Sequence, residues 1–343
     1  MAQRSDVALV LKNEAIKVIP EIQSEYYKKK AYKPFYTQFC AIKKITDMEW
    51  TAAKGKRAGG SAYNISTSFI GVPEFQEVGE EQPLSFQDPT LGYPIYLKKK
   101  KFALGVELTV EVNRDFKALQ KELKTWITDI NFPESLMLTK ERLAAGLINT
   151  GGFTAGSPYF DNSIAGVISP SYGALVYDAI PLFNLSTNTR LNKVNTAYYN
   201  HVGSLALTFD NLVTADTLVM STNAYTENNT PFNNNLDPFI MFNPAQRLAG
   251  FRIINSTLIP ENNNNDVNPL AGSYKVVSNP YITNTSAWCI GNKYGIYFYD
   301  NDDIQIKTWE VPETDLLRMK AVIELAVAVY DWRPFVAAGF TQS

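Results

Sequence analysis

The clearest hydrophobic rhythm lies near the C-terminus. In "RMKAVIELAVAVYDWRPFVAAG", the apolar residues Met319, Ala321, Ile323, Leu325, Val327 and Val329 recur at every second position. Strict period two over this length predicts a strand rather than a helix. A second alternation, "FALGVELTVEV", places Leu104, Val106, Leu108 and Val110 on one side of another strand. The period then lengthens. Asn113 is a good N-cap and Asp115 sits in the first turn, where the helix dipole favours a carboxylate. Phe116, Leu119, Leu123, Trp126, Ile127 and Ile130 follow at helical spacing, Pro133 is expected to kink or interrupt the helix, and "ESLMLTKERLAAGLINTGG" resumes it until Gly151 and Gly152. The pattern predicts one long, broken helix of about 35 residues, well above the average length.

Beyond a turn-rich stretch from about residue 153 to 205, "DNLVTADTLVMSTNAY" reads as a helix from Asp210, and "PFIMF" (Pro238 to Phe242) as a buried strand. Asn243 caps a further helix with Pro244 in its first turn, "ENNNNDVN" is a loop, and "GSYKVVSNPYI" and "AWCIGNKYGIYFY" read as strands. The strands flanking this insertion are expected to pair beside the long helix. The fold class expected is therefore α+β, one lobe with a second α/β lobe inserted into it.

Two segments lack such a rhythm. Residues up to about 45 read as an arm carrying a short helix cut by Pro20, with Tyr26, Tyr27, Tyr32 and Tyr36 offering flat amphipathic rings to a partner. From about 50 to 97 the chain has strand-like residues but is interrupted by Pro73, Pro83, Pro89 and Pro94. A compact sheet tolerates prolines only at edges, whereas a long two-stranded excursion accommodates them. An isolated hairpin is marginal in water. Phe69, Phe75, Phe86, Tyr93 and Tyr96 argue against a disordered linker, so a neighbouring subunit is expected to cover the hairpin. Lys98, Lys99, Lys100 and Lys101 admit three readings: an anion site, an edge strand blunted by charge, or pairing with an acidic strip such as Glu77, Glu80 and Glu81 on a neighbouring hairpin. The third is favoured, because a net charge of only -2 implies acidic counterparts to a local basic run.

Composition narrows the function classes. A length of 343 residues suggests about two lobes. The near-zero net charge argues against a dedicated nucleic-acid binder, which needs a basic excess to displace counterions. The N-terminal stretch is interrupted by Lys12, Glu14 and Lys17, so no signal peptide is expected, and no apolar run approaches a membrane span. Two cysteines, Cys40 and Cys289, make no disulfide framework and fit synthesis in a reducing cytoplasm. The Asn-x-Ser/Thr triplets at Asn184, Asn255 and Asn284 are read as unglycosylated.

Chemistry is sparse. His201 is the one histidine, which rules out paired-histidine metal sites, and it is read as structural or superficial. No G-x-S-x-G, Walker loop or G-x-G-x-x-G occurs. Asp300, Asp302 and Asp303 superficially suggest a calcium loop but lack its glycine and closing glutamate, so a solvated turn is expected. No catalytic, cofactor or metal site is assigned, and the chain is read as not an enzyme. The residues singled out as subunit-contact candidates are Phe69, Phe75, Glu77, Glu80, Glu81, Phe86, Tyr93, Tyr96 and Lys98 to Lys101.

Several segments in order carry a resemblance: "VGEEQPLSFQDPTLGYPIYLKKKKFALGVELTVEVNRD", "GGFTAGSPYFDNSIAG", "FIMFNPAQRLAGFRIINS" with "NDVNPLAGSYKVVSNPYITNTSAWCI", and "AVAVYDWRPFVAA". Over residues 70 to 340 the chain resembles tailed-bacteriophage major capsid proteins of the Johnson fold, closest to the Mu-like major head subunit type. The resemblance implies an N-terminal arm (1–48), an extended β-hairpin loop (49–100), a peripheral domain with a long spine helix (101–155 and 305–343) and an inserted axial domain (156–304). It implies hexamers and pentamers closing into an icosahedral shell around double-stranded DNA. The extended loop would lie over the next subunit, with scaffold, portal and decoration proteins as partners. The virion capsid would be the location, assembled in the host cytoplasm. No cofactor and no membrane are implied. The short N-terminal region departs from relatives with a fused scaffolding segment, which points to a separate scaffold protein. Lys54 and Lys56 lie where some relatives cross-link a lysine, without specific support here. Two alternatives stay open: an encapsulin-like cargo compartment, which shares the fold, and a soluble enzyme whose search would start at His201.

Overall fold

Period-two burial builds the centre of the molecule. In the computed structural model the described residues are 19–29, 33–44, 63–69, 91–98, 100–109, 132–149, 182–187, 189–192, 194–234, 236–260, 266–300, 304–311, 313 and 316–340. The chain is helical over residues 19–29 (α1) and Tyr36–Phe39 (α2), then extended at Ala41–Lys44 (β1), Tyr63–Phe69 (β2), Leu91–Lys98 (β3) and Lys100–Thr109 (β4). Helix α3 is Phe132–Asn149, and Arg190–Leu191 (β5) pairs with Ala197–Tyr198 (β6). There follow α4 (Phe209–Thr217), β7 (Pro238–Phe242), α5 (Arg247–Asn255), β8 (Lys275–Ser278), β9 (Trp288–Asn292), β10 (Ile296–Asp300), β11 (Gln305–Val311), β12 (Leu316–Val329) and β13 (Val336–Ala338).

The predicted C-terminal strand is β12. Its residues 316–322 are matched by β11 on one flank and by β4 on the other, both antiparallel. Leu325 faces both Lys100 and Asp300, so β10 continues along the flank that β11 occupies, and β1 adds to β10 in parallel. Met319, Ala321, Ile323, Leu325, Val327 and Val329, the residues of the period-two pattern, all enter the main hydrophobic core. The opposite face carries polar cross-strand pairs, such as Arg318 Nε donating to Glu107 Oε2 at 2.7 Å. Helix α3 lays Leu136, Leu143, Ala144, Leu147 and Ile148 on the same core.

The second sheet has the order β13-β9-β7-β8, antiparallel except for β7 with β8. Alternation again sorts its residues. Phe239, Met241, Cys289 and Ala337 join the core that holds the first sheet, while Ile240, Phe242, Trp288, Ile290, Val336 and Ala338 face a second core under α4 and α5. One buried layer therefore connects the two sheets. Gly250 lets α5 approach β7 closely: a Cβ there would meet the Phe242 ring at 2.3 Å.

The structure alters several expectations. Pro133 stands at the start of the helix that the sequence pattern resumes there. It is the second residue of α3, where its missing N–H is among those a helix leaves unpaired, and the helical pattern of 113–131 lies outside the described residues. Pro20 is the second described position of the helical backbone at 19–29, and the residues before 19 lie outside the described ones. Tyr26 and Tyr36 face this chain's own core at 0% exposure rather than a partner, while Tyr27 is exposed and Tyr32 lies outside the described residues. The single strand read in "AWCIGNKYGIYFY" is two: β9 and β10 belong to different sheets and are separated by a 3-10 turn at Lys293–Gly295. Asn292 caps that turn, its side chain accepting from Tyr294 N at 2.9 Å. A Cβ at Gly295 would lie 2.3 Å from the Phe335 ring, so the crossover needs glycine for close approach. Strand β10 thus sits in the first sheet and β13 in the second.

Other readings match. Strand β7 is buried as expected, and Asn243 Oδ1 accepts from Ala245 N at 2.9 Å to start the 3-10 turn Pro244–Gln246 that leads into α5. The helix from Asp210 ends as a π-turn at Leu218–Thr222, and its N-cap is Thr208, which accepts from Asn211 N. Among the described residues no helix is long and apolar enough to cross a membrane.

Candidate functional site

The feature that sequence reasoning singled out is the hairpin, and its backbone is a two-stranded antiparallel ribbon. Strand β2 pairs with β3 from Tyr63↔Lys98 to Thr67↔Pro94, and after a register shift Phe69 meets Leu91. Within the described residues β2 and β3 form a sheet of their own. Among the described residues both strands are therefore edges, which fits Pro94: no second described neighbour requires its missing N–H. Only position 99 separates β3 from β4, so the ribbon leaves the five-stranded sheet along the line of β4.

The contact candidates distribute along this path. Phe69 ends β2, and Tyr93, Tyr96 and Lys98 lie in β3, with Tyr96 opposite Ile65. Phe75, Glu77, Glu80, Glu81, Phe86 and Lys99 lie outside the described residues, as do Lys54 and Lys56. Lys100 and Lys101 open β4 opposite Leu325 and Glu324 of β12. The basic run thus enters a strand that is already paired on one flank. Glu324 gives Lys101 a cross-strand counter-charge within the chain, a neighbour that the sequence pattern did not reveal.

The residues considered for chemistry are structural. His201 is 2% exposed, bridges to Ala337 through the backbone, and its Nδ1 accepts from Gly203 N at 2.9 Å. Burial lowers its pKa to about 4, partly opposed by a hydrogen bond with the Phe340 backbone, so it is neutral and held in place. Cys40 and Cys289 are buried free thiols whose pKa values burial pushes up, which makes poor nucleophiles of both. Asp300 is not in a solvated turn: it is 1% exposed and pairs with Lys140 Nζ at 2.5 Å. Lys140 also donates to Tyr26 Oη, so α1, α3 and β10 meet at one buried charge pair. Asp302 and Asp303 lie outside the described residues. Among the described residues no group of three metal-ligating side chains comes together.

Beside Lys140, Glu141 holds the N-terminal segment. Its Oε1 accepts from Phe35 N at 2.6 Å and its Oε2 from Tyr36 N at 3.0 Å. Burial raises its pKa to about 7, while the two backbone donors pull the other way. The segment "YDWR" forms a second lock. Asp331 Oδ1 accepts from Arg333 N at 3.0 Å and from Arg333 Nη1 at 3.1 Å, and Arg333 also pairs with Glu227. The Arg190 guanidinium stacks 4.8 Å from the Trp332 ring. Sequence reasoning missed both locks. Glu141 lies more than a hundred positions from Phe35 and Tyr36, and Arg333 as far from Glu227, so no local pattern announces these pairs.

No family model and no curated protein matches the chain. Solved structures do. The chain in the capsid of an empty GTA particle, computed with C5 symmetry, aligns at TM-score 0.53 and 10% identity, covering 90% of this chain and 91% of that one. The capsid of the native GTA particle aligns at TM-score 0.51 and 10% identity over the same shares. A chain of Mycobacterium phage Bobi aligns at TM-score 0.48 and 10% identity, again over 90% and 91%. At such identity the likeness speaks to the fold: this mixed helix and sheet chain has a capsid-protein fold.

Proposed function

We propose that the chain is the major capsid (head) protein of a tailed phage, of the Mu-like type. It self-assembles as hexamers and pentamers into an icosahedral shell that encloses double-stranded DNA. The observation that carries this is the end-to-end likeness to the capsid of the GTA particle, which spans nine-tenths of both chains. In this reading the β2–β3 ribbon is a clasp laid over the adjoining subunit, α3 is the C-terminal part of the spine helix, and the β13-β9-β7-β8 sheet with α4 and α5 is the axial lobe. The aromatics Phe69, Phe75, Phe86, Tyr93 and Tyr96 and the charges Glu77, Glu80, Glu81 and Lys98 to Lys101 are its contact residues. The near-neutral composition suits a container that encloses DNA without gripping it. Scaffold, portal and decoration proteins are the expected further partners, and the host cytoplasm the place of assembly.

Electron microscopy of the purified chain over a concentration series, alone and with a scaffold protein, tests the reading. Closed polyhedral shells are expected, and a chain that stays monomeric throughout overturns it. Deleting residues 55–92 is expected to leave a folded subunit that forms no stable shell. Shells of normal size and stability from that deletion would remove the clasp assignment.

A further inference from the structure

Helices α4 and α5 cover the same face of the four-stranded sheet, but at opposite edges: α4 contacts β13, and α5 contacts β8. Their outward faces differ in charge. Residues 194–246 contain Asp210, Asp216, Glu227 and Asp237 and no lysine or arginine, and the next charged residues are Arg247 and Arg252. On α4 and its π-turn, Asp210, Val213, Thr217 and Met220 follow at three- and four-residue steps and are all exposed, Met220 at 45%. Asp216 is already bound by the Tyr274 hydroxyl, Glu227 by Arg333, and Asp237 lies off the helix directly before β7, which leaves Asp210 as the charge of that face. On α5, Leu248 is 66% exposed, and Phe251 and Arg252 lie beside it. Arg247 sits over the Phe251 ring with its Cζ 5.5 Å from the centroid. Among the described residues neither arginine has a carboxylate within ion-pairing distance.

We propose that these two faces bind each other between copies of the chain: the apolar, acidic face of α4 on one subunit against the apolar, basic face of α5 on the next. Large exposed aliphatic and aromatic side chains grouped on a helix face mark an interaction surface. The opposite signs select the occupant, because two α4 faces or two α5 faces would oppose like charges. Since the faces lie at opposite edges of one sheet, the contact is head-to-tail and leaves each copy with one face free for a further subunit. A head-to-tail contact closes into a ring or runs on as a filament. The inference rests on the shell reading above and gives it a specific subunit contact. Leu248, Phe251, Val213 and Met220 supply the buried area, and Asp210 with Arg247 and Arg252 sets register and orientation.

The test uses disulfide trapping in the full chain, where the native thiols Cys40 and Cys289 are buried and give little background. M220C and L248C are made singly and together. Mild oxidation of assembled material is expected to couple an M220C chain to an L248C chain when the two are mixed. Neither variant is expected to cross-link alone, and the double variant should give a ladder of covalent multimers. Assembled shells that give no mixed cross-link overturn the contact while leaving the shell reading standing. Cross-linking of either single variant with itself overturns the head-to-tail geometry. Cross-linked rings that never close into shells would sink the shell reading instead. As a second readout, R247E/R252E is expected to raise the concentration needed for assembly by about tenfold or more, with unfolding of the monomer unchanged, and adding D210K should recover part of it. Unaltered assembly by R247E/R252E counts against the proposal.

Discussion

At the scale of single residues, the charges that matter most are the ones taken out of water. Removing one partner of the buried Lys140–Asp300 pair strands the other in the core, so D300N is expected to cost about 3–5 kcal/mol in denaturant unfolding. Replacing both partners by apolar residues of similar size is expected to recover most of that loss. Glu141 gives a pH signature with a definite sign. Its folded pKa of about 7 lies above the ordinary 4.5, so between those values the unfolded chain has released the proton that the folded chain keeps. Stability contributed by this group is therefore greatest at the acid end and declines as pH rises towards 7. E141Q should flatten that decline in a series of unfolding curves. Gly250 tests packing: G250A places a methyl against Phe242 and is expected to destabilise by about 1–3 kcal/mol, less when combined with F242L. Asparagine is the commonest device at turns. Asn192, Asn243, Asn268, Asn279, Asn284 and Asn292 each accept a hydrogen bond from the backbone N–H two positions on, so the polar stretches between elements hold defined turns.

At the scale of elements, tolerance of proline should follow pairing. Strand β12 is flanked on both sides at Ala321, so A321P is expected to abolish soluble, folded protein. Pro94 lies in a ribbon of two edges, and P94T should alter the stability of the subunit by no more than about 0.5 kcal/mol. The same contrast explains how much could be read in advance. Strand β12, strand β7, the helix from Asp210 and the Asn243–Pro244 helix start were legible because the periods and caps that define them are local. The division of "AWCIGNKYGIYFY" between two sheets was not, because its strand-like residues are continuous. The break is set by Gly295 meeting Phe335 some forty positions later. Pro133 opens α3, where the pattern expected a helix to resume, because a helix start leaves unpaired the N–H that proline lacks. The buried Asp300 was hidden because a Tyr-Asp-Asn-Asp-Asp run looks like a surface turn, and its lysine partner is remote in sequence. The contact candidates on the ribbon were found by the absence of a local core rather than by any motif.

At the scale of the whole molecule, one core joins Tyr36 and Phe39 near the N-terminus, α3, the inner face of β12 and the underside of the second sheet. The subunit should therefore unfold as a unit. Far-ultraviolet dichroism and tryptophan fluorescence are expected to trace coincident transitions, and separated midpoints would show that the two sheets melt independently. The pairing of β1 with β10 has a consequence for synthesis. Ala41 leaves a ribosome about 250 residues before its strand partner Tyr297. At roughly 5–20 residues per second, the early strand waits on the order of 10–50 s for the segment that completes its edge. Until then its backbone donors and acceptors are open to other growing chains. A holding factor that shields residues 36–44 over that interval is expected to raise the yield of native subunit, more than one acting on β12 or β13.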